Sequence, residues 1–235
     1  MKNEQKRASS RQRRRLVGVC LVVLAGCATG PIEPKLGENE TYDGLREVTN
    51  ARVSQAWIRP GLDLSTYQKI LPVNAGVQYR DVRPAPTRGT ASSRSEFPVP
   101  AEARERFEKL VSEIFLEELQ KQDRFEIVTE PGPNVLVIAG GLIDVVSNVP
   151  PEPIGRGEVY LSQVGEATLV LELRDSETNT PLARILDRRA AEKVSGMTWS
   201  NTVSNTAEVR RLIRAWATRL RTMLETVPAL TEADD

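Results

Sequence analysis

The stretch that decides the fold is "EATLVLELRDSETNTPLARILDRRAAEKV", residues 166–194. In its first half, apolar and other residues alternate with a period of two, which places Ala167, Leu169, Leu171 and Leu173 on one face of a strand. The polar "ETNT" follows as a turn, and "PLARILDRRAAEKV" returns as a second strand. The stretch therefore predicts a β-hairpin with one buried face.

Two helices are predicted from apolar residues that recur every three or four positions. The first stripe consists of Phe107, Leu110, Val111, Ile114, Phe115 and Leu119. The second consists of Val209, Leu212, Ile213, Trp216, Leu220, Met223 and Leu224. Because each stripe lies on one side of its helix, we expect both stripes to be core.

Three further apolar segments predict strands at residues 68–82, 124–128 and 135–146. The pair Gly140-Gly141 in the last segment predicts a bulge or a close approach of two backbones. The order of elements predicts an α+β fold. We expect a single mostly antiparallel sheet of about four to five strands with two amphipathic helices packed on one face.

The amino terminus joins a basic segment to a short apolar run. Residues 1–15 carry seven Lys or Arg and one Glu, and the apolar run extends from Leu16 to Gly26. A run of about eleven residues is too short to cross a bilayer, which needs roughly twenty, but it suits a secretory signal peptide. Two interpretations of its export stay open, an ordinary secretory signal and a twin-arginine signal at "RRRLV".

The four residues that end this run, Leu-Ala-Gly-Cys at 24–27, resemble the lipobox of bacterial lipoproteins. The resemblance implies cleavage between Gly26 and Cys27 and acylation of Cys27, with palmitate among the acyl chains. The alternative is an ordinary signal peptide that happens to contain a cysteine. Ala28 is not the aspartate associated with inner-membrane retention, so the expected location in a Gram-negative cell is the periplasmic leaflet of the outer membrane.

Composition excludes several classes of function. The chain has 32 basic and 32 acidic residues, but removal of residues 1–26 would leave 25 basic against 31 acidic residues. Such an acidic domain is a poor candidate for binding nucleic acid. Because Cys20 would leave with the signal peptide, the mature chain would hold no intramolecular disulfide.

The chain contains no histidine. Ser-His-Asp and Cys-His catalysis both need an imidazole, and zinc sites built on histidine lack their ligand. Paired carboxylates could still act in a hydrolase, with Asp144, Asp175 and Asp187 as the candidates. The alternative for each aspartate is a structural role, either on the solvent-exposed face of the sheet or at a turn that ends a strand. We therefore expect no enzymatic activity, no cofactor and no metal.

The predicted domain organisation follows from these segments. It comprises a signal peptide (1–26), the lipidated cysteine with a flexible spacer (27–42), a single α+β domain (43–228) and a disordered tail (229–235). Two segments rich in proline and small polar residues, 83–100 and 147–165, predict mobile loops within the domain.

Several segments together resemble a family of bacterial lipoproteins known as domain of unknown function 3313. They are "YQKILPV", "RFEIVTEPGPNVLVI", "LELRDSETNTPLARILDRR" and "RAWATRLRTML", and the resemblance spans about residues 40 to 225. This chain has Asn179 where the family's turn is expected to have glycine, a small departure because asparagine tolerates positive φ. The family has no established activity, so the resemblance implies none.

The polar residues that carry this resemblance are Asp175, Asp187, Arg188 and Arg189. They predict a charged recognition patch beside the hairpin, or alternatively a turn-forming aspartate with exposed ion pairs, which contribute little. The sequence as a whole favours a lipid-anchored domain that binds or scaffolds an envelope protein. A small-ligand or glycan-binding module that uses the two loops is the alternative, and a carboxylate-dependent hydrolase is a more distant one.

Overall fold

A computed structural model describes residues 34–82, 95–150, 159–194 and 196–226. Over these ranges the chain forms ten strands and two helices. The strands are β1 (Leu36–Glu40), β2 (Arg46–Val48), β3 (Gln55–Ile58), β4 (Lys69–Tyr79), β5 (Glu126–Ile127), β6 (Val135–Ser147), β7 (Tyr160–Leu161), β8 (Gln163–Asp175), β9 (Pro181–Glu192) and β10 (Thr198–Trp199). The helices are α1 (Ala101–Leu119) and α2 (Thr202–Thr226).

Eight strands form one mixed sheet in the order β1-β2-β3-β9-β8-β6-β4-β5. In this order, each neighbouring pair of strands from β1 to β6 is antiparallel. Strand β4 is parallel to both of its neighbours, β6 and β5. A second sheet of two strands pairs β10 with β7. Neither helix of the described residues is long and apolar enough to cross a membrane.

The expectation of a single mostly antiparallel sheet of four to five strands is wrong, since the main sheet has eight strands and a second sheet is present. The strands that were missed are short: β1, β2 and β3 have five, three and four residues. Runs of that length show no periodicity, and these strands are held by pairing. Strand β3 pairs with β9, β2 with β3, and β1 with β2 at the edge of the sheet. The parallel pair arises because α1 carries the chain from the end of β4 back to the start of β5 and β6.

The hairpin of β8 and β9 is confirmed, with Leu169 opposite Asp187 and Leu171 opposite Ile185. Its turn includes Asn179 at φ 56°, the left-handed conformation that asparagine tolerates. Asp175 stabilises the turn by accepting hydrogen bonds from the backbone N–H groups of Thr178 at 2.8 Å and Glu177 at 3.1 Å. The alternation of apolar residues and the turn-forming residues Asp175 and Asn179 therefore explain why this segment forms a hairpin.

Both helices lie on the face of the sheet that carries Leu169, Leu171 and Leu173. The buried core against them includes Trp216, Leu220 and Leu224 of α2. A second apolar cluster joins the helices to each other through Leu110, Ile114, Ile213 and Ala217. The opposite face of the sheet carries no helix among the described residues.

Three segments differ from the predicted spacer and loops. Strand β1, residues 36–40, lies within the predicted spacer 27–42. Phe97, in the predicted loop 83–100, exchanges two backbone hydrogen bonds with Ser147 at 2.7 and 3.2 Å. Strands β7 and the start of β8 lie within the predicted loop 147–165. The signal peptide, Cys27, the tail 229–235 and residues 83–94 and 151–158 of the two loops lie outside the described residues.

The Gly140-Gly141 pair marks the predicted close approach of two backbones. Its neighbour β4 shifts register between Asn74 and Gly76, which adopts φ +89°. A Cβ atom added to Gly141 would lie 2.9 Å from the carbonyl oxygen of Gly76. A side chain at position 141 would therefore clash with the backbone of β4 at Gly76.

We expect Gly141→Ala to lower the free energy of unfolding by about 1–3 kcal/mol, because the added methyl group meets backbone that cannot move aside. Urea denaturation of the purified chain measures this. Gly132→Ala is the matched control, since a Cβ atom at Gly132 meets nothing within 4 Å. Equal stability of the two variants would contradict the proposed crowding.

Candidate functional site

A buried carboxylate lies at the contact between the sheet and α2. Asp187 of β9 is only 3% exposed, and it accepts a hydrogen bond from the indole Nε1 of Trp216 at 2.9 Å. Its carboxylate also accepts hydrogen bonds from Arg189 Nε at 2.6 Å and from the backbone N–H of Ser54 at 3.3 Å. Asp187 therefore joins β9, α2 and the segment before β3, and it is unavailable as a surface recognition group.

Arg188 points to the opposite face of the sheet and belongs to a different network. Its guanidinium contacts Glu166 Oε1 at 2.5 Å, and Arg80 contacts the same oxygen at 2.8 Å. Arg80 Nε also donates to Asp144 Oδ1 at 2.7 Å, and its Nη1 contacts Glu96 at 2.5 Å. Two arginines thus bind three carboxylates on the face of the sheet that carries no helix.

The pKa values in this network are shifted towards the charged forms. The hydrogen bond from Arg80 holds the pKa of Asp144 below its ordinary value, even though partial burial opposes this. Burial alone would raise the pKa of Glu166, but hydrogen bonds from Arg188 and Arg80 outweigh it and lower that pKa. Both groups are ionised at neutral pH, whereas a general acid needs a raised pKa.

Asp175 lies at the hairpin turn, far from the other candidates. Asp187 is paired with Leu169 of β8, and Asp175 lies six residues further along that strand. Asp175 and Asp187 are therefore separated by about 20 Å along the strand direction. The backbone N–H of Thr178 is the main cause of its lowered pKa. Tyr67 donates its hydroxyl to Asp175 at 3.0 Å, and burial together with this carboxylate raises the pKa of Tyr67 to about 12.

The structure therefore separates the residues that the sequence analysis grouped. The buried Asp187 pairs with the partly exposed Arg189, Arg188 lies on the other face, and Asp175 lies at the turn. Asp144, Asp175 and Asp187 do not converge on a cleft, so they lack the geometry of paired catalytic carboxylates. Within the described ranges no group of three or more His, Cys, Asp or Glu residues could hold a metal ion.

An exposed apolar patch surrounds the small sheet, and the sequence analysis did not identify it. Nine large apolar side chains are exposed among the described residues, and five of them belong to this region: Tyr160, Val194, Met197, Trp199 and Val203. Trp199 is directly opposite Tyr160 in the β7–β10 pair, so the two rings lie on the same face. We call these five residues the aromatic patch.

Hydrogen bonds hold the aromatic patch in place. Asn201 caps α2 by accepting from the N–H of Ser204 at 2.9 Å. The buried Lys193 Nζ donates to Ser204 Oγ and Asn205 Oδ1, both at 2.9 Å. The backbone N–H of Ser200 donates to the carbonyl of Val159 at 2.7 Å. The patch is thus supported on both sides, as a binding surface needs to be.

Comparison with known proteins identifies a family but no activity. The model of a family described as "Protein of unknown function (DUF3313)" matches residues 34–220. No curated protein matches the sequence.

Several solved structures align with this one at low similarity. A DUF330 protein from Xanthomonas campestris is 13% identical, with a TM-score of 0.39 over 76% of this chain and 94% of that one. The PelC dodecamer from Paraburkholderia phytofirmans is 13% identical, with a TM-score of 0.32 over 71% and 94%. A neuraminyllactose-binding hemagglutinin homolog from Helicobacter pylori is 9% identical, with a TM-score of 0.38 over 74% and 96%. All three TM-scores are below 0.5, so these alignments carry no conclusion about this chain.

We expect Asp187→Ala to lower the free energy of unfolding by about 1–3 kcal/mol, since it leaves the buried Trp216 N–H without its acceptor, whereas the partly exposed Arg189 can turn to water. Urea denaturation followed by Trp fluorescence measures the loss. Arg188→Ala, one residue away but exposed, is the control and should cost about 0–1 kcal/mol. If the two variants unfold at the same urea concentration, Asp187 does not hold α2 to the sheet.

Proposed function

This chain belongs to the DUF3313 family of proteins of unknown function, and on that premise we propose that it is a lipid-anchored, non-enzymatic binding domain of the bacterial cell envelope. The family match confirms the resemblance seen in the quoted segments. The single observation that carries the binding role is the aromatic patch, because it exposes a tryptophan and a tyrosine on the same face of a hydrogen-bonded pair of strands.

The anchor rests on the lipobox at residues 24–27. Acylation of Cys27 through two or more chains would hold the protein stably at a membrane. Residues 28–35 connect Cys27 to β1, and eight residues span at most about 28 Å. The domain would therefore stay close to the bilayer. Ala28 favours the periplasmic leaflet of the outer membrane, provided that the organism is Gram-negative.

The composition of the aromatic patch suits a protein partner. Trp199 is 52% exposed and Val203 is 82% exposed. Aromatic residues and methionine are enriched in protein interfaces, and tryptophan and tyrosine account for many of the side chains that dominate binding energy. Exposing such residues to water is unfavourable, so covering them on binding releases free energy.

The charges beside the patch indicate the chemistry of that partner. Helix α2 carries five arginines and two glutamates, a net charge of +3 within an acidic domain. Arg210 lies seven residues after Val203, hence on the same side of the helix, whereas Arg211 and Arg214 are paired with Glu208 and Glu117. We therefore infer a partner surface with an apolar centre and an acidic rim.

The absence of enzymatic activity is part of the proposal. It is supported by the lack of histidine in the chain and by the lowered pKa values of Asp144, Glu166 and Asp175. Their oxygens are occupied by arginine or backbone donors, so these carboxylates maintain structure and have no free proton to transfer.

We expect a photo-crosslinking amino acid placed at Tyr160 to capture one discrete protein in living cells. The same amino acid at Tyr42 is the control, because Tyr42 is also an exposed aromatic residue but lies in the turn between β1 and β2. Adding Trp199→Ala should reduce the crosslink at Tyr160 at least tenfold, since loss of a central aromatic residue costs about 2 kcal/mol or more. Immunoblotting and mass spectrometry give the yield and the identity.

Capture of the same proteins from both positions, or a yield at Tyr160 that Trp199→Ala does not change, would contradict binding through the aromatic patch. Circular dichroism of the purified Trp199→Ala chain controls for misfolding.

We expect metabolic labelling with an alkyne analogue of palmitate to label this chain at Cys27. Cys27→Ser should abolish the label and release the chain from the membrane fraction. Cys20→Ser should leave both unchanged, because Cys20 lies in the predicted signal peptide. Label that persists in Cys27→Ser, or disappears in Cys20→Ser, would rule out the proposed anchor.

A further inference from the structure

A cavity of about 250 Å³ lies between α1 and the strands β4 and β6. Its walls are mainly apolar and include Val77, Val111, Phe115, Leu142 and Leu169. The cavity does not involve the aromatic patch, the Asp187 contact or either of the loops at which a ligand site was expected.

The path of the backbone explains why this space stays open. Gly140, which is opposite Leu171 on the helix-covered face, contributes no side chain below α1, and a Cβ atom there would lie 3.1 Å from Leu171 Cδ2. The bulge at Asn74–Gly76 displaces β4 at the same level. Helix α1 also packs on α2 through Leu110 and Ile114, so it does not close fully over β4.

The mouth of the cavity combines apolar and polar groups. Val73 on β4 is 42% exposed and Leu116 on α1 is 45% exposed, and both line the cavity. Asn74 Nδ2 donates to Ser112 Oγ at 3.2 Å, an exposed hydrogen bond between β4 and α1. Asn74 Oδ1 also accepts from the backbone N–H of Gly76 at 2.8 Å, and Ser112 Oγ donates to the carbonyl of Glu108 at 3.0 Å. A ligand hydroxyl that enters here can still accept from the second N–H of Asn74 and donate to the remaining lone pair of Ser112.

Charge at the mouth discriminates between possible head groups. Among the described residues that line the cavity, only Glu108 carries a charge. Its carboxylate accepts a hydrogen bond from the Tyr79 hydroxyl at 3.0 Å, and Arg104 lies over the Tyr79 ring at 4.4 Å without lining the cavity. An anionic head group would therefore meet a like charge, whereas an uncharged one could bind to Asn74 and Ser112.

The volume sets the length of the ligand. A dry apolar cavity of about 150 Å³ binds benzene, so one of this size accommodates about ten carbon atoms. Ligand sites in proteins are typically apolar with a few polar groups that fix orientation, as this cavity is.

We propose that this cavity binds a single alkyl chain of about eight to ten carbons that carries an uncharged, hydrogen-bonding head group. The alkyl chain lies between Val111, Leu142 and Leu169, and the head group contacts Asn74 and Ser112 at the mouth. A free alcohol and the end of a larger lipid share this chemistry.

Isothermal titration calorimetry of the full chain carrying Cys27→Ser, with 1-octanol as the probe, tests the proposal. We expect saturable 1:1 binding of octanol, and at least tenfold weaker binding of octanoate. Val111→Phe should weaken octanol binding at least tenfold because the larger ring fills the cavity. Val209→Phe is the matched control, since Val209 packs between the helices away from the cavity, and it should leave the affinity within threefold.

Glu108→Gln keeps an acceptor for Tyr79 but removes the charge. We expect it to strengthen octanoate binding at least threefold and to leave octanol binding within twofold, which provides a test even if Val111→Phe fails to fold. Three results would overturn the proposal: octanol binding that does not saturate, octanol binding that Val111→Phe leaves unchanged, and octanoate that binds as tightly as octanol.

Octyl glucoside carries the same alkyl chain on a bulky uncharged head group, so its binding distinguishes the end of a larger lipid from a free alcohol. Because the probe requires neither Cys27 nor Trp199, its outcome is independent of the proposed anchor and protein partner.

Discussion

The hydrogen bond from the Trp216 indole to the buried carboxylate of Asp187 is the contact on which the arrangement of helices and sheet depends. It joins α2 to β9 at 2.9 Å in a place where water has little access. An unpaired carboxylate there would be costly, so the donors from Trp216 and, at 3.4 Å, Arg219 of α2 fix the position of that helix along the strand. Once α2 is placed, Leu110 and Ile114 of α1 pack against it, and the position of α1 follows.

This order of packing gives the sheet two unlike faces. One face is covered by both helices, and because α1 packs on α2, a cavity stays open above β4 and β6. The other face holds its charged side chains in networks, in which Arg80 and Arg188 share Glu166. Glu96, Asp144 and Glu166 are thus paired with arginine on that face, and the two surfaces that we propose for binding are apolar: the cavity under α1 and the aromatic patch beside α2.

The two apolar surfaces differ in the ligands they suit. The aromatic patch is exposed, includes rings that are directly opposite each other on β7 and β10, and lies next to a basic helix. Such a surface suits an extended, acidic-rimmed partner. The cavity is small and enclosed by α1, and its mouth holds one charged side chain, Glu108. It suits one short alkyl chain, so the two proposed sites would bind a protein and a small amphiphile at separate places.

The sequence by itself determined the β8–β9 hairpin, both helices and the close approach at Gly140-Gly141, because alternation, helical periodicity and turn chemistry act between near neighbours. The turn conformation at Asn179 was predictable for the same reason. The tertiary structure decided the eight-stranded sheet, since β1, β2 and β3 are too short to show a pattern and depend on pairing in series, β3 with β9, β2 with β3 and β1 with β2. It also decided that Asp187 is buried while Arg188 is exposed. Neighbouring residues of a strand point to opposite faces of the sheet, and only the packing of the helices determines which face is covered. The pairing of Trp199 with Tyr160 joins residues 39 positions apart in the sequence, and no local signal connects residues at that distance.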